Sequence, residues 1–267
     1  MDGRDWEQFL IPYEQVVEEL KVKFKSLRYE MKKREQYSPI EFVTGRVKKV
    51  SSILEKCARL GIHLNQIEEG IEDIAGIRIM CQFVEDIERM AEVIRGRKDM
   101  KVVYEKDYVR NKKPSGYRSY HIIVEYPVQT VLGMKVILAE LQIRTLAMNF
   151  WATIEHSLSY KFRSHLPSQI QEQLMNAAEA AFRLDEEMSS IREDIVEAQK
   201  LFDEQSMLVS KVLDHIQQLY YYNMAKEANQ FQMRFGEFIG MEDNMGQLAS
   251  LFEQIQATLA LVRRNQG

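Results

Sequence analysis

The chain has 267 residues and a mass of 31.4 kDa, with 45% hydrophobic and 28% charged residues, 12 Gly and 5 Pro. That composition excludes collagen-like, disordered and low-complexity classes, and the length fits one large domain or a compact domain with an appendage. The net charge of -4 argues against a general nucleic-acid binder. The charge is segregated, however. Seven bases (Lys21, Lys23, Lys25, Arg28, Lys32, Lys33 and Arg34) face Glu30 alone between positions 21 and 34, whereas eight acids stand against five bases after Phe202. No apolar run approaches the roughly 18 residues that span a bilayer. The opening Met1-Asp2-Gly3-Arg4-Asp5 carries no signal or acylation pattern, so a cytoplasmic protein without membrane contact is expected. Cys57 and Cys81 have no ligand-like spacing and read as buried thiols.

In chain order, Phe9, Val16, Val17, Leu20, Phe24 and Leu27 predict a helix over 5–36, ended by Ser38-Pro39. A second helix is expected from Ile40 to Leu60, stopped by Gly61, with Val47, Val50, Leu54, Cys57 and Ala58 as its apolar arc. Lys48, Lys49, Ser52, Lys56 and Arg59 fill the opposite, cationic arc. Strands follow at 75–83, 101–109, 118–126 and 135–144, with a helix over 86–95 between the first two, and the last three strands form an antiparallel meander. Alternation puts Glu140, Gln142 and Arg144 on one face of the fourth strand and Ser119, His121, Ile123 and Glu125 on one face of the third. A helix from Thr145 to Phe162 precedes a heptad-patterned helix over Ile170–Phe202, which should pack lengthwise on another helix. The remainder stays helix-compatible, broken weakly at Gly236, Gly240 and Gly246. Its last apolar stripe (Leu248, Leu251, Phe252, Ile255, Leu259, Val262) requires a partner surface, and His215 has a structural role.

Four constellations carry chemistry: Thr44-Gly45-Arg46-Val47-Lys48; Asp73-Ile74-Ala75-Gly76-Ile77-Arg78; the run from Lys113-Pro114-Ser115-Gly116-Tyr117 to His121; and Glu140-Leu141-Gln142-Ile143-Arg144-Thr145. A carboxylate between apolar strand neighbours, as at Glu140, needs a metal, a cation or a proton donor, and an ion pair with Arg144 or Arg78 is the structural alternative. Asp73 opens a strand where it can ligate a metal through oxygen or merely cap. In their order these motifs resemble the RelA/SpoT-type alarmone synthetases, in a stand-alone synthetase-only form, over about residues 5–205. Ser115 departs from the asparagine common in the long family members.

The resemblance implies an α/β (α+β), nucleotidyltransferase-like fold with a mixed, mostly antiparallel sheet flanked by helices and helical extensions at both ends. It implies transfer of the β,γ-pyrophosphate of ATP to the 3′-hydroxyl of GDP or GTP, with Mg²⁺ and AMP as leaving group, and no alarmone hydrolysis. By motif, Asp73 and Glu140 are the metal and catalytic carboxylates. Arg46 and Arg78 sandwich adenine, Lys48, Ser52, Lys56 and Arg59 meet phosphates, and Lys113, Ser115, Tyr117, His121 and Gln142 serve GDP or GTP. A homotetramer is implied, with Lys25, Phe42, Thr44 and Asn149 lining an alarmone cleft where pppGpp activates; single-stranded RNA is a regulatory candidate. The apolar stripes of the first helix and of Ile170–Phe202 exceed what one small sheet covers, which supports assembly. The division expected is 1–36 N-terminal helix, 37–162 catalytic domain, 163–203 assembly helix and 204–267 helical extension. The alternatives are another nucleotidyltransferase or a nucleotide- or RNA-binding regulatory module.

Overall fold

In the computed structural model, which describes residues 5–161, 167–239, 241 and 244–266, the chain opens on α1 (Trp6–Lys33). Asp5 caps it, its carboxylate accepting from the backbone N–H of Glu7 at 3.1 Å and of Gln8 at 3.2 Å, which satisfies donors a helix leaves open at its first turn. Tyr13, Val16, Val17, Leu20 and Phe24 recur at helical spacing and are all buried. The molecule's own main core covers this stripe, so the expectation that the first helix needs another subunit to cover it is overturned. The basic run is partly neutralised as well: Lys21 pairs with Glu18, Lys23 with Asp99, Arg28 with Glu41 and Arg34 with Glu30.

The continuous helix expected from Ile40 to Leu60 does not form. Phe42–Val47 is instead strand β1, and α2 is confined to Val50–Leu60. Val43 and Thr44 are β-branched, and Gly45 in a helix interior would cost about 1 kcal/mol relative to alanine. What decides the matter is a partner: β1 pairs antiparallel with β2 (Ala75–Cys81), Phe42 opposite Met80 through Val47 opposite Ala75. A Cβ on Gly45 would stand 2.8 Å from the Val17 side chain and 2.9 Å from that of Ile77, so glycine is what lets α1 lie against this strand. α2 buries Ile53 and Cys57, while Leu54 is 39% exposed and Ala58 also faces out, so its buried side is centred on Ile53 and Cys57, and Val47, on β1, is not part of it. It stops at Gly61, whose left-handed φ of 67° suits glycine.

A short 3₁₀ turn (Leu64–Gln66) and α3 (Ile67–Gly70) lead into β2. Then come α4 (Glu85–Arg95), β3 (Lys101–Asp107), β4 (Tyr120–Thr130), β5 (Gly133–Thr145) and α5 (Leu146–Lys161). The sheet order is β1-β2-β5-β4-β3; β2 and β5 run parallel and every other neighbouring pair is antiparallel. This is the mixed, mostly antiparallel sheet with flanking helices that was expected. Ile77, Ile79, Ile122, Val124, Leu141 and Ile143 are fully buried in the core. Their alternate neighbours Arg78, His121, Glu140, Gln142 and Arg144 therefore share the opposite face. One face of the sheet holds the fold and the other holds the chemistry.

The chain forms two compact units, one through Ser190 and one from Ile191. The helix α6 (Ser168–Tyr221) runs through both. In the first unit Leu184 and Met188 of its heptad stripe remain 57% and 45% exposed. The second unit joins the end of α6 to α7 (Ala225–Phe238) and α8 (Met245–Gln266). Its core is Val212, Ile216, Leu219, Ala228, Phe235, Leu248, Leu251, Ile255 and Leu259, so the partner surface for the last apolar stripe is this unit itself. His215 Nδ1 lies 2.9 Å from the Lys211 carbonyl and its ring edge meets Phe252, contacts that suit a structural role. Gly236 and Gly246 lie inside helices, and the breaks fall between α6 and α7 and between α7 and α8. Phe162, Gly240 and the side chain of Val262 lie outside the described residues.

Candidate active site

The site is built where the parallel pair β2 and β5 meets β4. Register places Gly76 beside Glu140 and Arg78 beside Gln142, and His121 of β4 opposite Gln142 from the other side. A cleft of about 360 Å³ opens over this face, lined by Arg46, Lys56, Glu72, Asp73, Arg78, Lys106, Tyr108, Lys113, Tyr117, His121, Glu140, Gln142 and Arg144, together with Ala152, Glu155 and His156 of α5. A smaller cavity beside it is lined by Thr44, Gly45, Arg46, Asp73, Gly76, Arg78, Glu140 and Gln142. A larger cavity, about 660 Å³, is an apolar groove between α5 and α6 lined by none of these residues.

Glu140 sits in a closed hydrogen-bonded ring. His121 Nδ1 is 2.9 Å from Oε1, and Gln142 Nε2 donates to Oε2 at 2.6 Å. The ring closes because Arg144 donates both to Gln142 Oε1 and to the Tyr117 hydroxyl at 2.6 Å, while that hydroxyl lies 2.8 Å from His121 Nε2. A carboxylate only accepts, so Nδ1 is the donor to Glu140, and in the neutral imidazole Nε2 accepts from Tyr117. Burial pulls the Glu140 carboxyl upward, but the hydrogen bonds from His121 and Gln142 and the electrostatic attraction of the His121 ring outweigh it and hold it below the ordinary carboxylate range. The structural alternative, a direct ion pair of Glu140 with Arg144 or Arg78, is replaced by this ring.

Asp73, at the entrance to β2, is clasped by two lysines: Lys48 Nζ at 2.6 Å from Oδ2 and Lys56 Nζ at 2.8 Å from Oδ1. Its burial is overcome by the two ammonium groups, which keep it ionised below its usual value. Lys48 occupies the turn before α2 and Lys56 lies within it, so strand and helix converge on one carboxylate. Arg46 on β1 and Arg78 on β2 both line the cleft. Burial, with Arg144 and Arg46 nearby, lowers the Arg78 pKa, as expected where cations face one another. Lys113 stands over two aromatic rings, 4.6 Å from the centroid of Tyr108 and 4.8 Å from that of Tyr117.

Some sequence-chosen residues lie elsewhere. Ser52 is half-buried in the first turn of α2, Arg59 is exposed in its last, and neither lines the two cavities around Asp73. Ser115 lines a neighbouring cavity with Pro114, Glu155 and Leu174. Four residues of extended strand would separate Tyr117 and His121 by about 13 Å; the loop instead curls before β4 begins at Tyr120 and brings their polar atoms into contact. Lys25 and Phe42 are exposed, Asn149 lies in the first turn of α5, and only Thr44 of the proposed alarmone set borders the cavity beside Arg46. The sequence reading missed Arg144 as a site member, along with Lys106, Tyr108, Glu72 and the α5 residues. The strand alternation that selected Glu140 and Gln142 also points to Arg144, and the Lys106–His121 register becomes visible only once β3 and β4 pair.

Comparison with known proteins agrees with this geometry. Residues 45–165 match the region found in RelA / SpoT proteins. The chain is 58% identical over 202 residues to the GTP pyrophosphokinase YjbM of Bacillus subtilis (strain 168), covering 95% of that protein and 76% of this one. It superposes with a TM-score of 0.69 on the crystal structure of the small alarmone synthetase 1 from Bacillus subtilis bound to its product pppGpp, at 58% identity, covering 71% of this chain and 97% of that one. The AMPCPP-bound structure of the same synthetase gives 0.64 at 55% identity, covering 72% and 98% respectively. About a quarter of this chain thus lies beyond the match to YjbM. The clasped Asp73, the ringed Glu140 and the shared architecture agree: this chain belongs to the RelA/SpoT family, as a GTP pyrophosphokinase of the small alarmone synthetase type.

Proposed function

We propose that the chain makes (p)ppGpp by transferring the pyrophosphate of ATP to the 3′-hydroxyl of GDP or GTP. The observation that carries the reading is one cleft holding two arginines, a lysine-clasped Asp73 and a Glu140 kept ionised by its neighbours. Relatives bound to pppGpp and AMPCPP support nucleotide substrates. In the reaction the acceptor's 3′-oxygen attacks the β-phosphorus of ATP, the bond from that phosphorus to the α,β-bridging oxygen breaks, and AMP leaves. Arg46 and Arg78 bracket adenine, since guanidinium is planar and stacks. Lys48 and Lys56 turn from Asp73 to the triphosphate, and Lys113 meets acceptor phosphate. Glu140 takes the 3′-hydroxyl proton while Gln142 and His121 fix its orientation, and Tyr117 stacks on guanine.

Asp73 and Glu140 line the same cleft, and the Asp73 charge acts on Glu140. Among the described residues no third His, Cys, Asp or Glu completes a cage. Two hard oxygen donors without a cage fit Mg²⁺, which keeps waters and phosphate oxygens as its remaining ligands; bound there, the ion would neutralise phosphate charge. Asp73→Asn and Glu140→Gln should each lower ppGpp formation from ATP and GDP by about 10²–10⁴-fold with the circular dichroism spectrum unchanged. Near-normal rates in both would remove this site.

The reading places synthesis in 37–162, assembly on 163–203 and no catalytic role in 204–267. It also places the enzyme in the cytoplasm, where both substrate pools are held; among the described residues no helix is long and apolar enough to cross a membrane. The uncovered Leu184 and Met188 stripe supports a homotetramer, which sedimentation at micromolar concentration tests. In a tetramer pppGpp should stimulate the wild type more than a Lys25→Ala, Phe42→Ala double variant. Regulatory single-stranded RNA binding would have to use the residues the N-terminal ion pairs leave, chiefly Lys25, Lys32 and Lys33, and would show as a strong salt slope.

A further inference from the structure

Lys113, Ser115 and Tyr117 stand on a loop rather than on the sheet, since β3 ends at Asp107 and β4 begins at Tyr120. Holding a loop in one conformation costs backbone entropy, so its side chains are fixed only where contacts offset that cost. The base of the loop is closed by its own ends. Tyr108 N–H donates to the Ser119 carbonyl at 3.0 Å, and the Arg118 guanidinium donates to the Val109 carbonyl at 2.7 Å. Nearer the tip, Lys113 N–H donates to the Tyr117 carbonyl at 3.1 Å and Gly116 N–H to the Lys113 carbonyl at 2.8 Å. These bonds turn the chain without attaching the tip to anything else.

The attachment comes from α6. Met175, Ala178, Glu179 and Phe182 recur at i, i+3, i+4 and i+7 and so share one side of that helix. Gly116 approaches it closely enough that a Cβ there would stand 2.6 Å from that of Ala178 and 3.5 Å from the Met175 Cα. The Arg118 guanidinium lies 3.8 Å from the centroid of the Phe182 ring. Glu179 engages the residues immediately before and after the segment 113–117: Lys112 Nζ lies 2.6 Å from Oε1, and Arg118 lies 3.4 Å from each carboxylate oxygen. The Arg118 side chain is only 10% exposed, and a nearly buried cation stripped of its anion is costly. None of Lys112, Arg118 and Glu179 lines the catalytic cleft, whereas Lys113 and Tyr117 do. At about 100° per residue, Leu184 and Met188 fall on the opposite side of α6, so docking the loop leaves that exposed stripe free.

We infer that Glu179 is a positioning residue for the acceptor nucleotide: by bridging Lys112 and Arg118 it holds Lys113 and Tyr117 at the wall of the cleft, so that a helix outside the cleft sets the affinity for GDP or GTP. The inference rests on this loop serving the acceptor. A preorganised site binds more tightly because the ordering cost is met before the ligand arrives. Without the bridge the acceptor must order the loop itself, which raises its KM. Once it is bound, Asp73 and Glu140 meet the same geometry, and kcat is retained. ATP, bracketed by Arg46 and Arg78, is indifferent to the loop.

The test is steady-state kinetics of the full chain with ATP and GDP. Glu179→Gln keeps the size of the side chain and removes its charge. Its KM for GDP should rise about 5–20-fold, with kcat and the KM for ATP within about twofold of the wild type. Its sedimentation should match that of the wild type, which separates loop docking from assembly. Lys112→Met removes the 43% exposed partner alone and should raise the KM for GDP about 2–4-fold. Added to Glu179→Gln it should change nothing further, because the bridge is already gone. If Glu179→Gln fails to fold, Lys112→Met is read by itself, and an unchanged KM for GDP in it overturns the inference. So does an unchanged KM for GDP in Glu179→Gln, an equal rise in the KM for ATP, or a pair of substitutions whose effects multiply; each of these leaves pyrophosphate transfer intact. A wild type that makes no alarmone from ATP with either GDP or GTP instead refutes the function on which the inference rests.

Discussion

Asp185 offers a test of the structure that does not depend on catalysis. It lies on α6, only 5% exposed, and its carboxylate accepts the Thr145 hydroxyl at 2.6 Å. It borders the apolar groove formed with Leu146, Phe150, Trp151 and Met188. Burial pushes its carboxyl up to about 6 from an ordinary 3.8, against the smaller downward pull of the Thr145 bond. The folded state therefore binds this proton more tightly than the unfolded chain does. The stabilisation is complete below pH 3.8 and is lost as pH rises through about 6. Two pKa units correspond to about 3 kcal/mol, and solvent reaching the open groove screens the carboxylate and reduces that to about 1–2 kcal/mol. Asp185→Asn retains an oxygen for Thr145 but cannot ionise. It should be more stable than the wild type at pH 8 by about 1–2 kcal/mol, an advantage that shrinks towards pH 4.5. Urea unfolding followed by the fluorescence of Trp6 and Trp151, both in the first unit, measures this across the range. An advantage of equal size at both ends, or a variant less stable at pH 8, would refute the reasoning.

The other predictions concern the site and its supports. His121→Ala removes the hydrogen bond that holds the Glu140 carboxyl down and leaves burial to act. Because a depressed carboxylate keeps its charge as pH falls, the acid limb of kcat/KM should move to higher pH in the variant; an unmoved limb would show that His121 does not set the Glu140 charge. Gly116→Ala places a Cβ 2.6 Å from that of Ala178 at a φ of 87°, a strain of about 1–3 kcal/mol. It should raise the KM for GDP at least tenfold and leave that for ATP near normal, which initial rates at varied GDP and ATP will show. Truncation after Gln205 removes every buried core residue of the second unit and should preserve basal ppGpp synthesis. A folded, tetrameric but inactive truncation would mean that the tail contributes to the active site.

Much of the site was legible because its signals are local. A carboxylate, an amide and a guanidinium at positions 140, 142 and 144 of an alternating strand share a face whatever the strand pairs with. The motifs around Arg46, Asp73, Tyr117 and Glu140 likewise identify themselves by type and order, and the burial of α1 follows from its period. Three features depended on distant chain. Phe42–Val47 has a pattern a helix can also carry, and it became a strand because the unpaired edge of β2 offered six residues of ladder. Tyr117 reaches His121 because Gly116, in its left-handed conformation against Ala178, turns the loop back on the sheet, a contact between residues more than 60 positions apart. The partner of the α8 stripe could not be named from sequence, since an apolar face records only that something covers it. Sequence thus determined which groups are present and which face they share, being properties of neighbouring residues. Tertiary structure alone decided which charges meet, because Lys48 and Lys56 reach Asp73, and Arg144 closes the ring through Tyr117, only when separate elements pack together.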